Sequence, residues 1–373
     1  MPRGHYPWVI NMKRIFAGVA AAFLAASLVF PCKGISANSA ILLDGQTGRV
    51  LYEKQADKQS LIASTTKIMT ALVVCEQVNV LDRVRIPPEA VGIEGSSMYL
   101  KAGEILTVQE LLYGLMLHSG NDAAVALAIY CGGTVEGFAE LMNDKAHRLG
   151  LKDTHFVNPN GLDSPGHYST ARDMAVLAAY AMENPIFYQT VSTKTVTAGG
   201  RSLRNHNKLL WQLEGADGVK TGFTKKAGRI LVSSCTRQNR RLICVTMNDG
   251  NDWQDHKMLL ETGFADFSVR QIVNRGDCLG TVSVISGQSG KAELLATEDF
   301  FYALSPGEQP EIVLSKPDFV YAPVAQGQEA GCAYVCLNGK AVGKIPLVFG
   351  QTVETETVKE PSLWEKLFKG GRT

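Results

Sequence analysis

The chain has 373 residues, 45% hydrophobic and 20% charged, which is room for two globular domains with a sizeable core. Lys plus Arg number 37 and Asp plus Glu 36, so the basic excess of a phosphate-binding surface is missing and no nucleic-acid partner is expected. Among the eight cysteines and seven histidines no spacing resembles a zinc site, and neither a metal nor a cofactor is expected.

Lys13 and Arg14 precede an apolar run from Ile15 to Phe30, followed by small polar residues from Ser36 to Ser39. That order is a secretory signal, with Met12 a candidate start, and an exported protein is expected. The run is short for a retained transmembrane anchor and ends at Pro31. Seven cysteines follow the leader; an odd number leaves one unpaired, and they read as small apolar core residues.

Residues 40–54 alternate about Asp44-Gly45-Gln46-Thr47-Gly48, a β-hairpin pattern. Helices are predicted over 64–78, 108–117, from near Asn121 to Gly132, over 135–149 and over 170–183. The stretch from Asn158 to Tyr168 is rich in turn formers and reads as a loop. Strands are expected at Ile230–Cys235 and Leu242–Met247, then a helix from about Trp253 to Phe267. Short β-rich runs continue to Val353, with a hairpin at Asn338-Gly339. The fold class is α+β, helices on an antiparallel sheet, followed by a small all-β domain. The expected boundaries are 1–37 for the signal, 38–269 for the first domain, 270–353 for a small β-sandwich-like domain and 354–373 for an amphipathic tail. Leu363, Trp364, Leu367 and Phe368 share one helical face of that tail, with Lys366, Lys369 and Arg372 supplying charge. Two readings fit it: an interfacial helix giving peripheral contact with an anionic membrane, or a frayed or protein-docked end.

Three short motifs carry chemistry. Ser64-Thr65-Thr66-Lys67 puts a hydroxyl and an amine one helical turn apart at a helix start. The amine can take the hydroxyl's proton if burial or another cation depresses its pKa. Ser119-Gly120-Asn121 lies at a break between two apolar helices, where Ser119 can relay a proton and Asn121 can bind a substrate carbonyl. Lys220-Thr221-Gly222, followed by Phe223, reads as an edge strand before the Ile230 strand. A lysine and a hydroxyl there can hold a carboxylate, and the glycine permits close approach to the backbone. Singly these motifs are weak: composition alone gives roughly one S-x-x-K per chain of this length. Together and in this order they form the penicillin-interacting signature.

The chain therefore resembles the low-molecular-mass penicillin-binding proteins, serine-type D-alanyl-D-alanine carboxypeptidases. Gly95-Ser96-Ser97-Met98, Leu149 to Phe156, Gly161-Leu162-Asp163, Ser169 to Met174 and Asp217 to Gly222 also resemble family segments. The likeness is strong over roughly 40–270 and looser beyond. It implies a penicillin-binding/β-lactamase-like catalytic domain that acts on peptidoglycan stem peptides and is acylated by β-lactams. It implies Ser64 as nucleophile, Lys67 as base, Ser119 and Lys220 in the proton and charge network, and Asn121 on the peptide carbonyl. Thr221 and Lys220 would face the terminal carboxylate, with the backbone N–H groups of Ser64 and Phe223 as oxyanion hole. Relatives can carry His after K-T-G; Phe223 keeps the backbone donor but loses any side-chain role.

Two other readings compete. A β-lactamase would favour S-D-N and a loop glutamate, but the middle motif has Gly120 and residues 153–172 contain no Glu. A non-catalytic penicillin- or peptidoglycan-binding protein would not need the full Ser-Lys-Ser-Asn-Lys set. His118 beside Ser119 reads as structural. Asp122, Glu94, Asp163 and Arg172 read as loop or cap residues, with Arg172 a candidate organiser of the 158–170 loop.

Overall fold

A computed structural model of the chain describes residues 34–357; the expected leader up to Lys33 and the tail from Val358 lie outside the described residues. The first strands, β1 (Ser39–Asp44) and β2 (Val50–Lys54), form the predicted hairpin. The segment holding Ser64 is a 3₁₀ turn, Ala63–Thr66, running into α1 (Lys67–Gln77). It was expected to be α-helical throughout. The tighter turn puts Ser64 on a protruding corner and Lys67 in the first buried turn behind it.

Next come β3 (Arg83–Arg85), a second 3₁₀ turn at Pro88–Ala90, and β4 (Ile105–Thr107). Helices α2 (Val108–Leu117), α3 (Asn121–Gly132), α4 (Val135–Arg148), α5 (Ala171–Ala181) and α6 (Pro185–Ser192) follow. Local chemistry sets their starts. Thr107 and Glu110 close a capping box on α2, Thr134 and Thr170 cap α4 and α5, and Asn184 with Pro185 opens α6. A hairpin of β5 (Thr195–Ala198) and β6 (Arg201–Arg204) leads to a single turn, α7 (Leu209–Gln212). Then β7 (Ala216–Thr224), β8 (Gly228–Arg237), β9 (Arg240–Met247) and α8 (Asp252–Asp266) complete this part.

The five-stranded antiparallel sheet has the order β2-β1-β9-β8-β7. Strand β1 is buried along its whole length because both sheet faces are covered. Ile41, Val232, Ile243 and Val245 pack into the large core built with α1 to α5. On the opposite face Gly263 of α8 sits against Leu42 and Leu242 so closely that a Cβ would lie 2.6 and 2.8 Å from their side chains.

From β10 (Ser268–Val273) onward the chain is all β: β11 (Cys278–Ile285), β12 (Lys291–Ala296), β13 (Phe300–Leu304), β14 (Glu311–Ser315), β15 (Phe319–Tyr321), β16 (Glu329–Leu337) and β17 (Lys340–Phe349). Six strands form one sheet, β14-β16-β17-β12-β11-β15, beside the β10–β13 ribbon, over a core including Val282, Leu294, Val335 and Ile345. Asn338 and Gly339 form the predicted turn, with φ of 51° and 74°. Arg49, beside β2, ties the two parts together: it forks onto Glu308 at 2.7 Å and lies over the rings of Phe267 and Tyr302. None of the seven described cysteines forms a disulfide. Cys235 and Cys244 are core residues as expected, whereas Cys278 is exposed and the other four are half-buried.

Candidate active site

Ser64 is partly exposed on its 3₁₀ corner, and Lys67 behind it is completely buried. Lys67 Nζ lies 2.6 Å from Asn121 Oδ1, 2.6 Å from the Asn160 carbonyl oxygen and 3.0 Å from Ser64 Oγ. The first two partners can only accept, so they take two N–H bonds. The remaining tetrahedral position points at the serine hydroxyl. In a neutral amine that position is a lone pair, which is what a base for Ser64 requires. The environment favours the neutral form: burial first, then the Lys220 charge, push Lys67 well below the ordinary lysine value, with Asp122 opposing.

The 157–168 loop fixes this corner from behind. Thr70 Oγ1 donates to the Pro159 carbonyl at 2.7 Å, next to the Asn160 carbonyl that Lys67 uses. Gly161, at φ +85°, packs so tightly that a Cβ would stand 1.9 Å from Ala63 O. His167 receives the Val157 N–H on Nδ1 at 3.0 Å, so its proton is on Nε2 and is donated to Thr66 Oγ1 at 2.8 Å. Burial first, then the His155 charge, push His167 down to about 4, which keeps this arrangement neutral.

The second wall is the α2–α3 break. Ser119 has φ +63° and faces the cleft, while Ala63 across from it has φ +46°. Left-handed backbone in non-glycine residues is costly, and each side of the cleft carries one such residue. Asn121 is the first residue of α3, and its side chain is spoken for at both ends: Oδ1 accepts from Lys67 and Nδ2 donates to the Glu94 carbonyl at 2.5 Å. Asp122 is buried and gathers the 97–100 segment, accepting from Ser97 Oγ, Met98 N and Leu100 N at 2.6–3.1 Å. It is thus the brace of this wall, and Glu94 contributes only its backbone.

The third wall is β7, the edge strand of the sheet. Lys220 is fully buried, donates to the Thr221 carbonyl at 2.9 Å, and is pushed down to about 7 by that burial. A Cβ on Gly222 would lie 3.2 Å from Ile62 O and Thr65 N, so the glycine lets β7 run against the nucleophile turn. Phe223, 63% exposed, stands at the mouth. Asp163 is linked to the same strand through Thr224 Oγ1 at 3.0 Å.

Ser64, Ser119, Thr221, Gly222 and Phe223 line one cleft of about 480 Å³, and Lys67, Asn121 and Lys220 lie directly behind it. Ser96, from the family-like segment Gly95–Met98, also lines the cleft, as do residues that no motif signalled: His206, Lys208, Arg229, Ile230, Asp252 and Trp253. His118 is not at the mouth; its ring tilts against His206 at 5.2 Å. Arg172 binds Glu53 and Asp57, so it organises the segment after β2 and not the 158–170 loop. Among the described residues no cluster of three or more His, Cys, Asp or Glu is arranged to hold a metal ion.

Comparison with known proteins gives a consistent picture. The family described as D-alanyl-D-alanine carboxypeptidase matches residues 26–251, and the C-terminal domain of penicillin-binding protein 5 matches residues 267–355. The D-alanyl-D-alanine carboxypeptidase DacD of Escherichia coli is 36% identical over 357 residues, covering 89% of each chain. The Bacillus subtilis D-alanyl-D-alanine carboxypeptidase DacF is 33% identical over 83% of this chain and 84% of its own. Penicillin-binding protein 5 of Haemophilus influenzae superposes with a TM-score of 0.77 at 34% identity, over 87% of this chain and 99% of its own. With a catalytic region and an all-β region both matched in order, the chain belongs to the serine-type D-alanyl-D-alanine carboxypeptidases of the penicillin-binding protein fold.

Proposed function

We propose that Ser64 removes the terminal D-alanine from peptidoglycan stem peptides through an acyl-enzyme. The observation that carries this is Lys67 Nζ at 3.0 Å from Ser64 Oγ, with two acceptors occupying its other bonds. Ser64 Oγ attacks the penultimate D-alanine carbonyl as Lys67 takes its proton. The oxyanion is received by the backbone N–H groups of Ser64 and Phe223. Collapse breaks the peptide bond, and the leaving D-alanine amine takes a proton relayed through Ser119. Water then hydrolyses the ester and returns Ser64. Lys220 and Thr221 hold the terminal carboxylate. Asn121 primarily orients Lys67, and it reaches a substrate carbonyl by exchanging the Glu94 contact for it.

β-Lactams, as substrate mimics, acylate the same serine. The loop behind Ser64 offers Lys67 the Asn160 carbonyl and contains no glutamate, and its Asp163 accepts from Thr224 Oγ1, which supports slow deacylation over β-lactamase turnover. The basic and apolar leader supports export to the wall side of the membrane, and the amphipathic tail supports peripheral membrane contact. The test is mass spectrometry of diacetyl-Lys-D-Ala-D-Ala digests with wild type and Ser64→Ala, alongside labelled penicillin. Wild type should release D-alanine and carry the label on Ser64. Release by Ser64→Ala, or label on another residue, sinks the assignment.

A further inference from the structure

One wall of the cleft is charged and is not used by the reaction above. Arg229 of β8 pairs directly with Phe223 of β7, so the two side chains share a face of the sheet. Both line the cleft, with Lys208, His206, Asp252 and Trp253. Asp252 is buried and grips Arg229 through Nε at 3.1 Å and Nη2 at 2.7 and 2.8 Å. The Trp253 ring lies 5.9 Å from the Arg229 guanidinium and 5.9 Å from Lys208 Nζ.

A brace between β8 and α8 would need no more than the Arg229–Asp252 pair. Two facts exceed that role. The Arg229 side chain is 46% exposed, and its Nη1 has no partner among the described residues, so donors remain free in the cleft. The charges do not balance either: Arg229 and Lys208 face the single carboxylate of Asp252. His206 adds no cation, because partial burial and then the Lys220 charge push it down to about 4. A guanidinium held rigid by a carboxylate and backed by an aromatic ring is suited to fork onto a second carboxylate.

We propose that Arg229, fixed by Asp252 and Trp253 and helped by Lys208, is a second carboxylate anchor and a specificity-determining residue of the cleft. The proposal rests on the peptide-cleaving reading of Ser64. A peptide substrate offers two sources of that carboxylate. One is its C-terminus, shared with Thr221. The other is the side chain of its third residue from the end, since Phe223 lies two positions along β7 from Thr221 and an extended peptide advances ~3.3 Å per residue.

The test compares wild type, Arg229→Gln and Arg229→Lys on two peptides. Diacetyl-Lys-D-Ala-D-Ala has only the terminal carboxylate; its counterpart with diaminopimelate in place of lysine adds one on the side chain. Arg229→Gln should raise KM ~10- to 100-fold with kcat nearly unchanged. Arg229→Lys keeps a cation beside Asp252, guards against loss of folding, and should recover part of the effect. An equal rise on both peptides assigns the anchor to the C-terminus, and a rise confined to the second assigns it to the side chain. Unchanged KM on both, or a fall in kcat alone, overturns the anchor. Neither result touches Ser64, whose assignment falls only if Ser64→Ala still releases D-alanine.

Discussion

Replacing Gly161 with alanine should disable Lys67 without touching it. The new Cβ would sit 1.9 Å from Ala63 O, 2.5 Å from Ala63 C and 2.8 Å from Thr66 Oγ1. Two of these are backbone atoms of the nucleophile corner, which no rotamer change can move. Reaching ordinary contact demands a retreat on the order of 1.5 Å by the loop, the corner or both. The φ of +85° adds ~1–2 kcal/mol for a residue with a side chain. The neighbouring Asn160 carbonyl is the acceptor that holds one Lys67 N–H at 2.6 Å. Once it retreats, the amine is free to rotate and its lone pair no longer faces Ser64. A misplacement of ~1 Å near a reacting pair costs ~100-fold in rate. The acylation rate of Ser64 with a fluorescent penicillin, measured by stopped flow, should therefore fall ~100-fold, with a lower Tm. Wild-type acylation in this variant would refute the idea that the loop positions the base.

Asp122→Ala should destabilise the protein by about 2–5 kcal/mol in urea unfolding, because the buried Met98 and Leu100 amides lose their acceptor together; a loss under about 0.5 kcal/mol would contradict the bracing role. Acid should also destabilise it. His167 and His256 are held down to about 4 and about 3 by burial, whereas the unfolded chain protonates both near 6.5. The unfolded state then binds more protons below that value, so stability is full above pH ~6.5 and falls progressively as pH drops toward ~4. A urea midpoint unchanged between pH 7 and pH 5 would be inconsistent with this. For activity, kcat/KM follows the free enzyme. Lys220 must keep its proton to hold a carboxylate and is pushed down to about 7, so kcat/KM should decline above that pH. Lys220→Arg should move the decline to higher pH, and a flat profile in the wild type to pH ~9 would argue against Lys220 as the carboxylate ligand.

The side chains that meet at the cleft were legible as candidates because each lies in a short motif whose local geometry is fixed by a helix start, a helix break or a strand. The Ser64–Lys67 spacing needs only one turn to bring hydroxyl and amine together. Hairpins with strong turn residues, at Asp44–Gly48 and Asn338–Gly339, were equally legible. What escaped depends on tertiary register. The Asn160 acceptor is a backbone carbonyl, which every residue has. The constraint on Gly161 exists only because Ala63 is its neighbour in space. Arg229 and Asp252 meet because β8 and the start of α8 converge on one rim, and nothing in either local sequence announces it. The three-residue strands β3 and β4 are too short to show alternation. Gly199-Gly200 was the available signal for the β5–β6 hairpin.

Gly222 has one more consequence. A sheet edge with unpaired backbone groups is a template on which extended chains of any kind can stack. A peptidase that binds its substrate along β7 cannot cover that edge, so it must limit what enters. Here the nucleophile turn overhangs β7 at Gly222, with Ile62 O and Thr65 N only 3.2 Å from where a Cβ would be. Lys220 beneath is an ionisable group turned inward and already buried. The turn that carries the Ser64 hydroxyl over β7 therefore also narrows the face of the edge strand on which another chain could be laid.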